Sequence, residues 1–177
     1  MKIGITGHTS GLGQALYDLL SIEHEVYGFA LENGHDIGID QHIDKIIDQI
    51  KDFDCFINNA YHNSGQTELL IKLYKKWYGL EKTIVHIGSN SILENRSSMS
   101  AEYVEQKKQQ FEFIRSKRDF LHPYLIHVLP GWIDTPLIEE NWFKKMNKQT
   151  VAELVIDLLK YLDKGVCVQE IYFQATP

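Results

Sequence analysis

Tyr103 and Lys107 are the first residues whose types and spacing suggest chemistry. They are four residues apart in a segment predicted to be helical, so they share a helix face with Cβ atoms about 5–6 Å apart. A phenol has an ordinary pKa near 10, and a neighbouring ammonium favours the phenolate, so Tyr103 could exchange a proton with a substrate. Ser89 adds a hydroxyl that can hydrogen-bond a substrate oxygen and polarise a carbonyl. Taken alone, the pair is also compatible with an ordinary helix on which a lysine extends to water.

A glycine-rich turn follows the first predicted strand and precedes a predicted helix. Its sequence is Thr6-Gly7-His8-Thr9-Ser10-Gly11-Leu12-Gly13. Glycines permit unusual backbone angles and close approach of a phosphate, and a helix N-terminus offers unpaired N–H groups to an anion. The turn therefore predicts a phosphate-binding site, the alternative being a glycine-rich turn that binds no ligand.

The sequence predicts strands and helices that alternate along the chain. The apolar runs Cys55–Ile57 and Thr83–Ile87 are continuous rather than alternating, which is typical of strands covered on both faces of a parallel sheet. Six strands are predicted, at Lys2–Thr6, Glu25–Ala30, Asp54–Asn58, Thr83–Gly88, Tyr124–Leu129 and Gln169–Gln174. Five helices are predicted, at Gly13–Ser21, Gln41–Lys51, Thr67–Tyr78, Ala101–Lys117 and Val151–Leu162. This order predicts a doubly wound, three-layer α/β/α fold with a parallel sheet, in a single domain over residues 1–177.

The glycine turn resembles the cofactor-binding signature of the short-chain dehydrogenase/reductase family, Thr-Gly-x-x-x-Gly-x-Gly. Five further motifs match that family in its order along the chain: Asp36-Ile37, Asn58-Asn59-Ala60, Ile87-Gly88-Ser89, Tyr103 to Lys107, and Pro130-Gly131-Trp132-Ile133-Asp134-Thr135. The resemblance therefore covers nearly the whole chain.

The resemblance implies a Rossmann fold and an NAD(P)-dependent oxidoreductase acting on a small carbonyl or alcohol. Ser89, Tyr103 and Lys107 would be the catalytic residues, with Lys107 also holding the nicotinamide ribose and Asp36-Ile37 holding the adenine. The implied cofactor-binding residues are Gly7, His8, Thr9, Ser10, Gly11, Leu12, Gly13, Asp36, Ile37, Asn59, Ala60, Tyr61, Tyr103, Lys107, Pro130, Gly131, Trp132, Ile133 and Thr135.

Three departures from the family pattern put catalysis in question. The segment from Gly65 to Tyr78 lacks the family's catalytic asparagine, for which Gln66 or a backbone carbonyl is a candidate substitute. Tyr61 stands where the family has glycine. The segment after Thr135 is shorter than the substrate lid of many family members. Trp132, Trp142 and Phe143 either form an apolar wall of the site or cover the core. The alternative to an enzyme is therefore a dinucleotide-binding sensor or partner subunit without turnover.

The choice between NAD and NADP is set where the second strand ends. The usual acidic position falls on Ala30 or Leu31, neither of which is charged. Glu32 lies one step beyond and would favour NAD, whereas His8, Thr9 and Ser10 could donate to a phosphate. The missing acid favours NADP slightly.

Composition and charge exclude several other classes of function. Lys and Arg number 18 against 24 Asp and Glu, a net charge of −6, which argues against nucleic acid or an anionic membrane as a partner. Cys55 and Cys167 are too few for a disulfide framework, and the eight histidines are too scattered for a metal site. His62, which follows Tyr61 along the chain, is expected near the nicotinamide end, where it could touch the substrate. We expect a cytoplasmic protein without a metal.

Assembly is a further expectation from the resemblance. The predicted helix carrying Tyr103, Phe111, Phe113 and Ile114 resembles the one through which family members pair. A homodimer or tetramer is therefore predicted.

Overall fold

The computed structural model describes residues 1–93, 99–119, 122–135 and 144–176. Its strands are β1 (Lys2–Thr6), β2 (Glu25–Phe29), β3 (Cys55–Asn58), β4 (Thr83–Ile87), β5 (Tyr124–Pro130) and β6 (Glu170–Phe173). Its helices are α1 (Gly11–Leu20), α2 (Asp40–Gln49), α3 (Gly65–Trp77), α4 (Ala101–Arg115) and α5 (Lys148–Leu162). Short 3₁₀ turns lie at Leu31–Asn33 and Asn90–Ile92.

The six strands form one parallel sheet in the order β2-β1-β3-β4-β5-β6. From β1 the chain first builds outward to β2 and then crosses back to β3 on the other side. The strand order therefore reverses between β1 and β3, and in open α/β sheets ligands bind at the carboxyl ends of strands beside such a reversal. The glycine turn, which follows β1, lies at this point.

Two apolar cores cover the two faces of the sheet. The first contains Ile3 and Ile5 of β1 with the apolar stripes of α1 and α5, including Leu16 and Val155. The second contains Phe56 with the buried residues of α2, α3 and α4. These side chains explain why the strands are continuously apolar, because both faces of the sheet are covered.

The predicted doubly wound α/β fold with three layers is confirmed, and each predicted element is present with ends shifted by a few residues. The largest shift among the helix starts is at α1, α3 and α5, which begin two or three residues earlier than predicted. Of the residues that the structure describes, none form a helix both long and apolar enough to cross a bilayer.

Candidate active site

The glycine turn forms a cradle at the carboxyl end of β1. Gly7 and Gly11 have positive φ values of 70° and 56°, which glycine adopts without a steric penalty. A Cβ at Gly13 would overlap the Gly7 carbonyl oxygen and approach the Asn59 amide to 2.6 Å. Only glycine therefore fits at position 13, in the first turn of α1.

Thr6 ties the cradle to the end of β3. Its hydroxyl oxygen accepts hydrogen bonds from the backbone N–H groups of Asn59 at 2.9 Å and Ala60 at 3.0 Å. The Asn59 side-chain amide donates to the Thr6 carbonyl at 3.0 Å. Asn59 and Ala60, both predicted cofactor-binding residues, thus hold neighbouring loops in register at the reversal of strand order.

The side chains of the turn point in different directions. Leu12 is buried in the core. The His8 ring lies against Gly28 and contacts the Tyr17 ring in a tilted arrangement, with centroids 5.1 Å apart. Ser10 is the N-cap of α1, and its side chain makes no capping hydrogen bond, so the first N–H groups of α1 receive none from it. The Thr9 hydroxyl donates to the Glu32 carboxylate at 3.2 Å. An acidic group therefore lies against the cradle, one residue beyond Leu31, the later of the two positions where the family resemblance implies an acid.

Ser89 and Tyr103 come together at the carboxyl end of β4. Ser89 caps the 3₁₀ turn, its hydroxyl oxygen accepting from the Ser91 N–H at 3.1 Å, and it also hydrogen-bonds the Tyr103 hydroxyl. Burial raises the pKa of the Tyr103 phenol, and the hydrogen bond with Ser89 opposes this only in part. The expected lowering of the phenol pKa by the neighbouring ammonium is therefore wrong for the protein alone, where the phenol stays protonated at neutral pH.

Lys107 lies beneath Tyr103, one turn along α4. Its side chain is buried, with only 3% of the residue exposed. The ammonium donates to the Gln66 carbonyl oxygen at 2.6 Å and to the Ile87 backbone carbonyl at 3.3 Å. Burial lowers the pKa of Lys107 to about 7, because an ammonium loses hydration that neutral acceptors replace only in part.

Gln66 is the residue that connects this site to the sheet. It is fully buried in the first turn of α3. Its amide N–H groups donate to the carbonyls of Asn58 and Ile87, both at 3.0 Å, at the ends of β3 and β4. Its carbonyl oxygen accepts from Lys107. Gln66 thus holds the Lys107 ammonium from the helix in which the family's asparagine was expected.

A buried polar network continues from Gln66 and was not predicted. The Gln110 amide donates to Gln66 at 3.4 Å and to the Thr67 hydroxyl at 2.9 Å, while its oxygen accepts from the His86 ring at 2.9 Å. The neutral His86 ring accepts from the Asn58 amide at 3.3 Å. The one signal for it in the sequence is that Gln110 lies three residues after Lys107, on the same helix face.

Tyr61 lies over Tyr103 and Lys107. Its ring meets the Tyr103 ring edge-on, with centroids 4.9 Å apart. The Lys107 ammonium is 5.4 Å from the centroid of each ring. The ammonium is therefore enclosed by two aromatic rings and two carbonyl oxygens.

Asp36 and Ile37 form a separate group at the start of α3. The Asp36 carboxylate accepts from the Gly38 N–H at 2.8 Å and pairs with His62 at 2.9 Å, and both contacts lower the pKa of Asp36. The Ile37 carbonyl packs so closely on Gly65 that a Cβ there would overlap it. His62, expected near the nicotinamide end, is instead bound to the residue expected to hold adenine.

The segment after β5 is attached to the last strand. The Gly131 N–H donates to the Phe173 carbonyl at 2.8 Å, and a Cβ at Gly131 would lie 3.2 Å from the Asn90 amide, next to Ser89. Ile133, another predicted cofactor-binding residue, is buried in the first core. The Trp132 carbonyl accepts from the Met146 N–H at 2.8 Å.

The end of β5 and the segment after it contain four further residues that the sequence singled out. Pro130 ends β5, and Thr135 is half-buried. Trp142 and Phe143, the other members of the proposed apolar wall, lie outside the described residues.

The resemblance implies that copies of the chain pair through α4, but the apolar residues of this helix pack within the chain. Ile114 belongs to the second core, Phe111 contacts the His127 ring, and Phe113 contacts Tyr74. The exposed positions of α4 are mostly polar or charged: Glu102, Glu105, Lys108, Gln109, Glu112 and Arg115. The homodimer stays a prediction, which this polar surface does not favour.

The fold is shared with solved structures of short-chain dehydrogenases. A short-chain dehydrogenase from Burkholderia cenocepacia in complex with NADP matches with a TM-score of 0.81 and 20% identity, covering 98% of this chain and 88% of that one. The 3-alpha-hydroxysteroid dehydrogenase from Pseudomonas sp. complexed with NADH has a TM-score of 0.79 and 18% identity, covering 98% and 95%. A short-chain dehydrogenase/reductase from Vibrio parahaemolyticus has a TM-score of 0.79 and 18% identity, covering 99% and 100%.

Comparison of the sequence with known proteins finds no match, whereas comparison of the structure does. No protein-family model matches the chain, and no curated protein matches its sequence. At this level of identity, the structural likeness shows that the chain has the Rossmann fold of the short-chain dehydrogenases.

Proposed function

We propose that this chain is a short-chain dehydrogenase/reductase that uses a nicotinamide dinucleotide to interconvert a small carbonyl compound and its alcohol. The observation that supports this most is the convergence of Ser89, Tyr103 and Lys107 at the sheet edge that also carries the glycine cradle. Two of these residues come from α4 and one from the end of β4, so their meeting depends on the fold and not on sequence spacing alone.

The cradle is suited to a diphosphate. Gly7 and Gly11 have positive φ, a side chain at Gly13 would fill the turn, and the Ser10 side chain leaves the first N–H groups of α1 uncapped. Such N–H groups, together with the positive end of the helix dipole, bind anions. We assign the diphosphate to residues 7–13, and Asp36 and Ile37 to the adenine end.

Tyr103 would act as the proton donor. Because burial raises its phenol pKa, the phenol is protonated at neutral pH and ready to donate to a carbonyl oxygen. A bound reduced dinucleotide would supply the hydride for the carbonyl carbon. Ser89, already hydrogen-bonded to Tyr103, would hold the same oxygen, so the site as folded is set for reduction.

Lys107 and Gln66 would orient the donor. The ammonium lies within reach of the Tyr103 ring, and Gln66 anchors it to the ends of β3 and β4. We therefore assign Gln66 the positioning role that the family gives to its asparagine.

The cofactor choice that we propose is NAD(H). The missing acid at Ala30 and Leu31 favoured NADP, but Glu32 accepts a hydrogen bond from Thr9 of the cradle. A carboxylate at this place can bind a free ribose hydroxyl and would repel a 2′-phosphate. This contact supports NAD(H) over NADP(H), which the uncharged Ala30 and Leu31 had favoured.

A second candidate function is a dinucleotide-binding sensor or partner subunit without turnover. The covering of Lys107 by the Tyr61 ring favours it, since the ammonium is then closed to a ligand. This second function remains to be tested. A cytoplasmic location and a homodimer also remain proposals.

One experiment separates these proposals. Purified protein is titrated with NADH and NADPH by calorimetry and then assayed with a panel of ketones and aldehydes, alongside Tyr103→Phe and Ser89→Ala. The oxidoreductase predicts turnover that Tyr103→Phe lowers at least about 100-fold with unchanged dinucleotide affinity. Binding without turnover on any carbonyl supports the sensor, and no binding of either dinucleotide removes both.

A further inference from the structure

Tyr61 lies on the path between the two halves of the site. The residue before it, Ala60, borders the cradle, since a Cβ at Gly7 would lie 3.1 Å from the Ala60 Cβ. The Tyr61 ring itself contacts Tyr103. A ligand that extends from the cradle to Lys107 must therefore cross Ala60 and Tyr61.

Among the residues that the structure describes, several neighbours cover the Lys107 ammonium. Gln66 and the Ile87 carbonyl accept hydrogen bonds from its ammonium, and the rings of Tyr61 and Tyr103 each lie 5.4 Å from it. With 3% of the residue exposed, a ribose hydroxyl reaches the ammonium only if one of these neighbours moves.

Tyr61 is the neighbour that can move at the smallest cost. Gln66 is fully buried with several hydrogen bonds, and Tyr103 belongs to the long helix α4 and is hydrogen-bonded to Ser89. Tyr61 lies in the loop between β3 and α3 and is only half-buried. We propose that Tyr61 is a gate: its ring covers Lys107 in the free protein and swings aside when a dinucleotide binds.

The gate, which rests on the proposed function, has a measurable consequence. When only an open fraction of the protein can bind, the observed dissociation constant is the intrinsic value divided by that fraction. Opening breaks the edge-on contact with Tyr103 and the contact with the Lys107 ammonium, which together favour the closed form. We expect removal of the ring to tighten dinucleotide binding at least about fivefold.

The test compares Tyr61→Ala and Tyr61→Leu, which remove the aromatic ring, with Tyr61→Phe, which keeps it. Tyr161→Ala is the matched control. Tyr161 is an exposed tyrosine whose ring also makes a cation–π contact, with the Lys164 ammonium 5.1 Å from its centroid. NADH and NADPH binding is measured by calorimetry. The first two variants should bind at least about fivefold more tightly, and the other two should bind within about twofold of wild type.

A second readout needs no dinucleotide. Reductive methylation with formaldehyde and cyanoborohydride, followed by peptide mass spectrometry, reports the exposure of Lys107. Labelling should be at least about tenfold faster in Tyr61→Ala and Tyr61→Leu than in wild type, and unchanged in Tyr61→Phe.

The outcomes distinguish the gate from the function on which it rests. Measurable wild-type binding that is unchanged or weakened in Tyr61→Ala and Tyr61→Leu overturns the gate and leaves the proposed function standing. Equal labelling of Lys107 in all proteins also overturns the gate. Failure of every protein to bind either dinucleotide overturns the proposed function, and the gate with it.

Discussion

Replacement of Lys107 by methionine should change how stability depends on pH. In the folded protein burial lowers the pKa of this ammonium from 10.5 to about 7. Between these two values the unfolded chain binds more protons at Lys107 than the folded protein does. The free energy of unfolding therefore rises with pH in this window, because the cost of burying a charge is relieved as the folded group loses its proton.

The size of the effect follows from the two pKa values. Each pKa unit corresponds to about 1.4 kcal/mol, so the full cost at low pH is about 5 kcal/mol. From about pH 7 to about pH 8.5 the free energy of unfolding should rise by about 1.5 kcal/mol in wild type. Methionine has no charge to bury, so Lys107→Met should remove this rise.

Urea denaturation at several pH values between these limits measures the difference. Lys108→Met is the matched control, because Lys108 is the next residue of α4 and is exposed; its pH dependence should match wild type. A wild-type slope that persists in Lys107→Met, or one that disappears equally in Lys108→Met, would refute the reasoning that burial lowers the pKa of Lys107.

Three other substitutions test separate parts of the site. Gln66→Leu removes the main acceptor of the Lys107 ammonium and should lower the free energy of unfolding by about 3 kcal/mol in urea denaturation; a loss below about 1 kcal/mol would contradict the buried network. Glu32→Arg should shift the ratio of NADPH to NADH affinity, measured by calorimetry, at least about tenfold toward NADPH, and an unchanged ratio would exclude Glu32 from cofactor choice. Gly13→Ala places a Cβ against the Gly7 carbonyl and should weaken NADH binding at least about tenfold in a protein whose circular dichroism shows it folded; normal affinity would contradict the cradle.

The elements of the fold were predictable because their signals are local. Continuous apolar runs such as Cys55–Ile57 indicated buried parallel strands, and the stripe from Val151 to Leu162 indicated a helix with one apolar face. Both signals depend on residues close in sequence, and both helices and strands are present where predicted. The glycine cradle was predictable for the same reason, since its strand, turn and helix are consecutive.

The contacts that decide the chemistry were not predictable in detail, because they join distant residues. Gln66 and Lys107 are 41 positions apart, and Thr9 and Glu32 are 23 apart. Gln66 was one of two candidates for the missing asparagine, the other being a backbone carbonyl, and no sequence pattern distinguishes a buried glutamine from an exposed one.

The predicted lowering of the Tyr103 phenol pKa is wrong for the protein without a dinucleotide, for a related physical reason. The sequence places an ammonium beside the phenol but does not show how much of either is buried. Burial raises the phenol pKa and lowers that of Lys107, so the attraction expected between two charged groups is weakened when both favour their neutral forms.

The most direct test of the account is to follow the hydride itself. The protein is incubated with a ketone and with reduced dinucleotide carrying deuterium at the carbon that gives up hydride, and the alcohol is analysed by mass spectrometry. We predict deuterium on the carbinol carbon with wild type and a rate at least about 100-fold lower with Tyr103→Phe. Deuterium that stays on the dinucleotide across the whole ketone panel, or that transfers equally fast in Tyr103→Phe, would contradict the central claim.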